Sequence, residues 1–557
     1  MKNTTDIRKH ILKRMTVLET DFNSFKPHLQ DLNKYIMPRQ ARFMPSDQGQ
    51  DKRNRDIIVN TATMAANTLS SGMMTGVTSP ARPWFNLTTE DQQLADNPAV
   101  KAWLYEVVQR MREVFIRSNL YNALPQLYMD LGVYGTGAIF EDEDDEDGVR
   151  FYVLPVGSYV CAVSARGSVD TMYRRLRLSV RNLVEMFGEE AVSESVRGMY
   201  RGGRHDQLID VIHAVEPNLW RDHGKIDAPN MEYASVWMEA NCPDDKLLRF
   251  SGYAEFPVMV PRWSVLDGEV WGYGPGMVAL PDIKALQLES KQKLKMIAKI
   301  ADPPMVGPSS LMNQRASLLP GDITYVDASG GMQGFQPAQT VDPGALNWLI
   351  QDIQECEQRI RRAFFEDLFL MLAQTDRRQI TAREIEERHE EKLLVLGSVV
   401  ERLNEELLDP LIDRTFGIMS RRGFLPEPPE ELQGSPLKVE YISIMSQAQK
   451  MVGIISIERL TGFVGQVAQA SPAVLDRINF DEAVEEYGRM LGVPPSVVLS
   501  DEQVASIRYD REQQAQAAQA MQMAQQGAAI AKDASQAKTG GEDQNMLTDV
   551  MRMMGAG

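Results

Sequence analysis

Apolar positions recur at helical spacing over most of the chain and give way to short extended runs in one stretch near the middle. Over residues 4–37, Ile7, Ile11, Leu12, Met15 and Leu18 alternate with charged positions, which predicts a long helix ended by Pro38 and Pro45. Asp56–Met74, rich in Ala, Thr and Met, predicts a second helix. A turn follows at Pro80, Pro83 and Trp84, and then further helix from Pro98 to Leu131 around Trp103, Val107, Met111 and Phe115. From Gly137 to Arg262 the pattern changes. Ala138–Phe140, Val149–Leu154, Tyr159–Val163, Met172–Leu176 and Val236–Met238 read as strands, each bounded by Gly, Pro or Asp. One helix, Val180–Gly188, interrupts them, so this part reads as α+β.

Helix returns near Pro281 and stops at Asp302-Pro303-Pro304. Residues 305–341 are rich in Gly, Pro and Ser, with one strand-like run at Ile323–Val326, and read as a small protruding subdomain. Asp342-Pro343 then supplies an N-cap acid followed by proline at the first helical position. Leu346, Leu349, Ile353, Ile360, Phe364 and Leu368 keep one face of that helix apolar to about Leu372. Gln374–Gln379 is a polar loop, and Thr381-Ala382-Arg383-Glu384 is a capping box opening a long helix that Pro410 kinks or ends. A Pro-rich break at 426–436, a strand-like run at Val439–Ile444 and more helix follow. From Asp501 the Ala-, Gln- and Met-rich tail is either a helix that needs partners or a disordered segment.

The chain has 557 residues, 43% of them hydrophobic and 24% charged, enough for roughly three to four domains with buried cores. A net charge of −18 argues against tight general nucleic-acid binding, which needs basic surface to release counterions. It leaves room for a protein that touches DNA without gripping it. Three scattered cysteines fit a reducing compartment better than a disulfide framework. No apolar run approaches a membrane span, and the polar, charged first ten residues show no secretory signal. Against this acidic background one feature stands out. At about 100° per residue, Lys284, Lys291, Lys295 and Lys299 share one helix face, while Ile283, Leu286, Leu294 and Ile297 share the other. Such a helix can pack on one side and face a polyanion on the other; a solvated face is the plainer alternative.

No catalytic constellation is evident, and neither a phosphate loop nor a zinc helix is present. Gly132, Gly135 and Gly137 have the wrong order and context for a dinucleotide site. His213 and His223 flank a Pro-Asn turn and read as surface residues. The acidic run Glu141–Asp147 is the strongest metal-like signal and leaves a metal-dependent nucleic-acid enzyme as the alternative function. A solvated hairpin tip closed by Gly148 is the plainer reading.

Several segments, in order, resemble the portal or head-to-tail connecting proteins of tailed bacteriophages, most closely those of short-tailed phages. They are Gly135-Thr136-Gly137-Ala138, Leu154-Pro155, Gly167-Ser168-Val169-Asp170 with Tyr173-Arg174-Arg175, and Leu183 with Phe187-Gly188. Next come Pro261-Arg262-Trp263, Trp271-Gly272-Tyr273-Gly274-Pro275-Gly276, Leu280-Pro281-Asp282-Ile283, Thr381-Ala382-Arg383-Glu384, and Glu440-Tyr441-Ile442-Ser443 with Gln447-Ala448-Gln449. Where the family usually continues Ser-Pro, this chain has Ser443-Ile444.

The resemblance implies a predominantly helical α+β portal fold assembled as a ring of twelve. Its parts would be a wing over 1–275, with the β-rich part at about 137–265, a stem helix over 276–301 and a clip over 302–341. A second stem helix over 342–373, a tunnel loop over 374–380, a long wing helix over 381–423, a crown over 424–500 and the tail over 501–557 would follow. It implies a passive DNA conduit at one capsid vertex, with no enzyme activity, no metal and no cofactor. The expected partners are double-stranded DNA, the terminase large subunit, major capsid and scaffolding proteins, and tail adaptor or nozzle proteins; no membrane is expected. The implied location is the virion, with assembly in the host cytoplasm. Lys284, Lys291, Lys295 and Lys299 would face the DNA channel, and Gln374, Asp376, Arg377 and Arg378 would form the tunnel loop.

Overall fold

The computed structural model describes residues 4–43, 55–91, 94–95, 97–242, 246–306, 336–337, 343–375, 396–432, 436–441, 460–468, 474, 477–491, 501–536 and 555. They fall into two units, residues 1–95 with 103–452, and residues 96–102 with 453–557. No described helix is long and apolar enough to cross a membrane.

The first unit begins with α1 (Thr4–Tyr35), whose Ile7, Ile11, Met15, Phe22 and Leu29 form the buried stripe that the spacing predicts. α2 (Thr61–Gly76) starts later than the composition suggests, and β1 (Phe85–Thr89) follows the proline turn. The helical stretch after Pro98 is two helices, α3 (Pro98–Arg117) and α4 (Leu120–Tyr134), the second capped by left-handed Gly135. β2 (Ile139–Asp144) and β3 (Gly148–Val153) form a hairpin that carries the acidic run. β4 (Tyr159–Val163) and β5 (Val169–Ser179) lead into α5 (Val180–Phe187), capped by Ser179, and α6 (Glu194–Arg201), which periodicity missed. β6 (Leu208–Pro217), β7 (Tyr233–Glu239) and β8 (Arg249–Tyr253) complete an antiparallel sheet of order β4-β5-β6-β7-β8. β9 (Val258–Met259) joins β2.

The helix expected from Pro281 begins one and a half turns earlier. α7 runs Pro275–Ala301 with Pro281 inside it. Proline is costly in a helix interior because it removes one N–H and crowds the preceding turn; here it lies near the start, on the exposed side. Asp302 ends the helix as expected. β10 (Met305–Val306) pairs with β11 (Gln336–Pro337), and the intervening residues of the expected clip lie outside the described set. α8 (Pro343–Ala363) packs against α7 through Ile353, Cys356 and Ile360. The single helix expected to Leu372 is broken: Phe365 takes φ 56°, the one positive φ of a non-glycine residue among the described residues, and a separate helix, α9 (Glu366–Thr375), follows it.

The next described helix, α10 (396–403), passes into a π-helical segment, Asn404–Leu408, and continues as α11 (Asp409–Arg421). Pro410 therefore does not end the helix. The wider turn just before it absorbs the missing donor. β12 (Leu437–Tyr441) pairs antiparallel with β1, so the strand at Val439 finds its partner some 350 residues earlier in the chain. The main core joins α1, α4, the faces of β5–β7, and the roots of α7 and α8. At about 1.5–3 kcal/mol per fully buried large aliphatic side chain, Ile283, Leu286, Ile353 and Ile360 make this seam a strong anchor.

In the second unit, α12 (460–468), α13 (Phe480–Leu491) and α14 (Asp501–Gln536) are described. Arg508 of α14 forms a two-point ion pair with Asp481 of α13 at 2.7 Å. The tail is thus helical as far as Gln536, with its described side chains mostly exposed.

Candidate functional site

The α7 lysines do not form one uniform stripe. Lys284 Nζ lies 2.6 Å from Asp31 Oδ2 of α1 and 5.7 Å from the Tyr35 ring centroid. Lys291, Lys295 and Lys299 are exposed and form no ion pair with a described residue. The opposite, apolar face also divides. Ile283 and Leu286 are buried, whereas Leu294 and Ile297, expected to be covered, are 54% and 44% exposed. The root of α7 rests on α1 and α8, while its far end projects with both faces uncovered in a single chain. Lys293, a position that the stripe omits, is half-buried on another face. On the α8 side the charge is negative: burial, reinforced by nearby Asp352, raises the Glu289 carboxyl above its ordinary range.

Of the expected tunnel-loop residues, Gln374 falls by its backbone in the last turn of α9. Asp376, Arg377 and Arg378 lie outside the described residues, as does the Thr381–Glu384 capping box.

The acidic run is the solvated hairpin tip of the plainer reading, with Asp145 fully exposed and Gly148 closing the turn at φ 88°, and its base is anchored in the fold. Glu141 is fully buried; Thr415 Oγ1 donates to its carboxylate at 2.7 Å and Arg414 Nε to its carbonyl at 3.1 Å. Burial pushes this carboxyl up to about 8, opposed by the Arg414 charge. Asp144 accepts from the backbone N–H groups of Glu146 and Asp147, which shapes the turn. Arg422 binds Asp145 at 3.1 Å, and Arg421 holds Glu255 at 2.6 Å with Glu143 at 3.6 Å. These acids are the partners of three arginines on and just after α11, a pairing invisible from a run of carboxylates alone. Among the described residues, no group of three His, Cys, Asp or Glu is placed to hold a metal ion.

His213 is fully buried in β6, contrary to its surface reading. It stacks on Trp237 at 3.9 Å, accepts from Arg174 Nε at 3.2 Å, and has Ser235 Oγ 3.1 Å away. Burial and the neighbouring guanidinium hold it well below the ordinary histidine range, so it is a neutral core residue. The glycine cluster is also used for packing. An added Cβ would lie 2.4 Å from the Gly272 carbonyl at Gly135, and 2.3 Å from the Val133 carbonyl at Gly276. The two chain segments press together there, backbone against backbone.

Arg262 and Trp263, known from the sequence only as part of a resembling segment, form a junction whose contacts the sequence did not indicate. Buried Arg262 donates from Nη2 to Glu406 Oε1 at 2.6 Å, from its backbone N–H to Glu406 Oε2 at 2.8 Å, and to the carbonyls of Gly167 and Glu269. The Trp263 ring stacks on Phe365 at 5.9 Å. Consecutive residues thus hold the π segment and the α8–α9 break.

The fold and this helical hairpin define a mixed helix-and-sheet protein in which a helix bearing exposed lysines, α7, pairs with α8. The profile of the family described as "Bacteriophage head to tail connecting protein" matches residues 8–499, and the chain belongs to that family. It is 48% identical over 551 residues to the "Portal protein" of Salmonella phage epsilon15, covering 99% of each chain. It is 41% identical over 549 residues to the "Probable portal protein" of Bordetella phage BPP-1, covering 98% of each. A chain in the neck of an empty GTA particle matches 73% of this chain and 86% of its own length at 10% identity and a TM-score of 0.31, too slight a likeness to build on.

Proposed function

We propose that the chain is the subunit of a portal, the ring-shaped DNA channel at one vertex of a phage capsid. In this role the ring is the conduit through which a separate terminase packages the genome, the dock for tail and adaptor proteins, and the exit for DNA. The observation that carries this reading is the likeness, over nearly the whole chain, to two phage proteins named as portals. The uncovered apolar end of the α7–α8 hairpin supports it, since side chains such as Trp348, 74% exposed, need a partner that a ring of copies supplies. On this reading the chain acts in the virion after assembly in the host cytoplasm, and it performs no chemistry itself.

The division into parts follows the sequence expectation. Residues 1–275 form the wing, α7 and α8 the stem, and 302–341 the clip that docks the terminase. Residues 374–380, with Gln374, Asp376, Arg377 and Arg378, form the tunnel constriction; 381–423 form the long wing helix and 424–500 the crown, with α14 extending a helical barrel beyond it. Lys291, Lys295 and Lys299 face the passing duplex, and Lys284 stands at the root of the same face, shared with α1. Sparse positive charge in an acidic wall lowers the barrier to a polyanion without fixing it in place. Electron microscopy of the purified full chain tests the reading: rings of about twelve copies with an axial hole are expected, and compact monomers at micromolar concentration overturn it.

A further inference from the structure

Strand β5 outruns its neighbour. β4 begins at Tyr159, opposite Arg174, whereas β5 continues to Ser179. Just past that pair the Arg175 N–H donates to the Ser158 carbonyl at 3.3 Å, and no further described strand lies on this side. Successive residues of an antiparallel strand address opposite neighbours. Arg175 addresses the β4 side, so Leu176 and Leu178 address β6, and Arg177 turns its N–H and C=O to the open side. This edge borders a cleft of about 470 Å³ between α1, residues 42–43 and the sheet. Residues 173–177 line it in succession, which a strand does only along its edge, because alternate side chains point to opposite faces.

Charge in the cleft is opposite to that of the chain. Phe22 and Phe43 give it apolar walls, Lys26, Arg42, Arg175 and Arg177 surround it, and Glu19 is its one lining acid. Arg174, which also lines it, turns its guanidinium away onto the Phe140 and Trp237 rings. Glu19 holds Arg175 at 2.6 Å, and Asp210 holds Arg177 at 2.7 Å. Lys26 and Arg42 form no ion pair with a described residue, in a chain of net charge −18. The Arg42 backbone is fixed in place: its N–H donates to the Val156 carbonyl at 2.9 Å, and a Cβ at Gly157 would lie 2.7 Å from its carbonyl. We propose that this cleft docks an extended, acidic peptide segment of a partner protein. The segment adds as a short strand beside Arg177 and sets its carboxylates against Lys26 and Arg42. Two free cations are few for a phosphate backbone, whereas an open N–H and C=O pair matches another main chain. The cleft is complete within one chain, so this docking is independent of the ring reading.

Fluorescence anisotropy of the full chain at low salt tests the docking, with a fluorescein-labelled octapeptide of alternating Glu and Val as the probe. Saturable binding is expected. Lys26→Glu with Arg42→Glu, at positions that are not buried, should leave the circular dichroism unchanged and weaken binding by about tenfold or more. The same peptide with every amide N-methylated keeps its charge but has no main-chain donor, and should bind the wild type about tenfold more weakly. Absence of binding by the wild type, or equal binding by the reversed-charge variant, overturns the proposal. Equal binding of the N-methylated peptide overturns it as well, by leaving charge alone at work, and this arm reports even if the variant fails to fold. Tighter binding of a single-stranded oligonucleotide of matched charge would make the cleft a phosphate site instead. Self-association lost in the variant, with no peptide bound by the wild type, would make it a contact between copies; either result overturns the peptide reading.

Discussion

Lys284 is held by Asp31: Nζ to Oδ2 is 2.6 Å, across the contact between the two longest described helices of the first unit. The first lysine of the stripe is therefore a docking residue for α1, and the three beyond it remain open. Both partners of the pair are more than a third exposed, so Lys284→Ala should cost no more than about 1 kcal/mol of stability and leave DNA packaging unchanged. Lys291→Glu with Lys295→Glu should leave ring assembly and thermal stability intact but lower the yield or length of packaged genome. Unchanged genome yield and length in that double variant would make the exposed lysines an ordinary solvated face.

Arg414 binds the hairpin from inside, with a side chain only 1% exposed. It donates to the carbonyls of Glu141 and Glu255 and pairs with the Glu255 carboxylate at 3.4 Å. Removing it strands two backbone acceptors and leaves a cavity, while the Glu255 carboxylate, a third exposed, keeps Arg421, so Arg414→Ala should destabilise by about 2–4 kcal/mol. Arg421→Ala removes a more exposed pair and should cost about 1 kcal/mol or less. Urea unfolding of both variants checks the contrast; equal losses would mean that burial does not set the ranking.

The arginine pairing also gives an outcome for the acidic run. Asp144→Ala and Asp145→Ala remove a turn-forming acceptor and an exposed Arg422 partner. Incubation with duplex DNA and Mg²⁺ or Mn²⁺ should show no cleavage by the wild type that these variants lose. Metal-dependent cleavage abolished by either substitution would reinstate the enzyme reading.

Asp130, fully buried in α4, is lifted by burial from 3.8 to about 8, with Gln40 as an opposing hydrogen-bond neighbour. The folded chain thus keeps a proton that the unfolded chain releases above pH 4. Its stabilising contribution is complete below that pH and declines as pH rises through 8, by up to about 1.4 kcal/mol per pH unit. Asp130→Asn should flatten the stability profile between pH 5 and 8. A slope identical to the wild type over that window would show that Asp130 is ionised in the fold.

Much of the architecture was legible because it rests on local periodicity. The buried stripe of α1, the strand runs of the sheet, the Asp302 stop and the Pro343 start follow from side-chain spacing and from the donor that proline lacks. What escaped was set by distant contacts. The Phe365 break contradicts its own helical sequence and is held by Trp263 and Gly72. The acids of β2 look like metal ligands until the arginines of α11 are brought beside them. His213 looked exposed because its turn is polar, yet the strand that bears it is central in the sheet. At the site, the face shared by Lys291, Lys295 and Lys299 was readable from spacing, but the capture of Lys284 by Asp31 needed a partner 253 residues away.

Gly135 and Gly167 separate backbone strain from packing. Both have positive φ, 72° and 80°. At Gly167 a Cβ meets nothing within 4 Å, so Gly167→Ala should cost only the conformational penalty, about 1–2 kcal/mol. At Gly135 the Cβ would also lie 2.4 Å from the Gly272 carbonyl and 2.7 Å from the Gly274 nitrogen. Gly135→Ala should therefore be clearly the worse of the two, with a thermal transition lowered further or lost soluble expression. Equal behaviour would mean that the 135 and 272–274 segments part without cost.

The far end of α7 provides the sharpest contrast between folding within a chain and assembly between chains. Leu294 and Ile297 continue the stripe that buries Ile283 and Leu286, yet the single chain leaves them 54% and 44% exposed. An aspartate at either position meets water in the monomer and an apolar neighbour in a ring. Leu294→Asp with Ile297→Asp should keep circular dichroism and monomer stability within about 0.5 kcal/mol of the wild type, as for surface substitutions elsewhere. In sedimentation velocity the same variant should fail to form rings, because a charge buried without a partner costs more than one weak contact in a repeating interface can return. Ile226→Asp, at a loop position 93% exposed and far from the stripe in sequence, is the control and should assemble normally. Rings formed equally well by the α7 variant would show that this face stays in solvent, and the stem would then have to assemble through other side chains, beginning with Trp348 on α8.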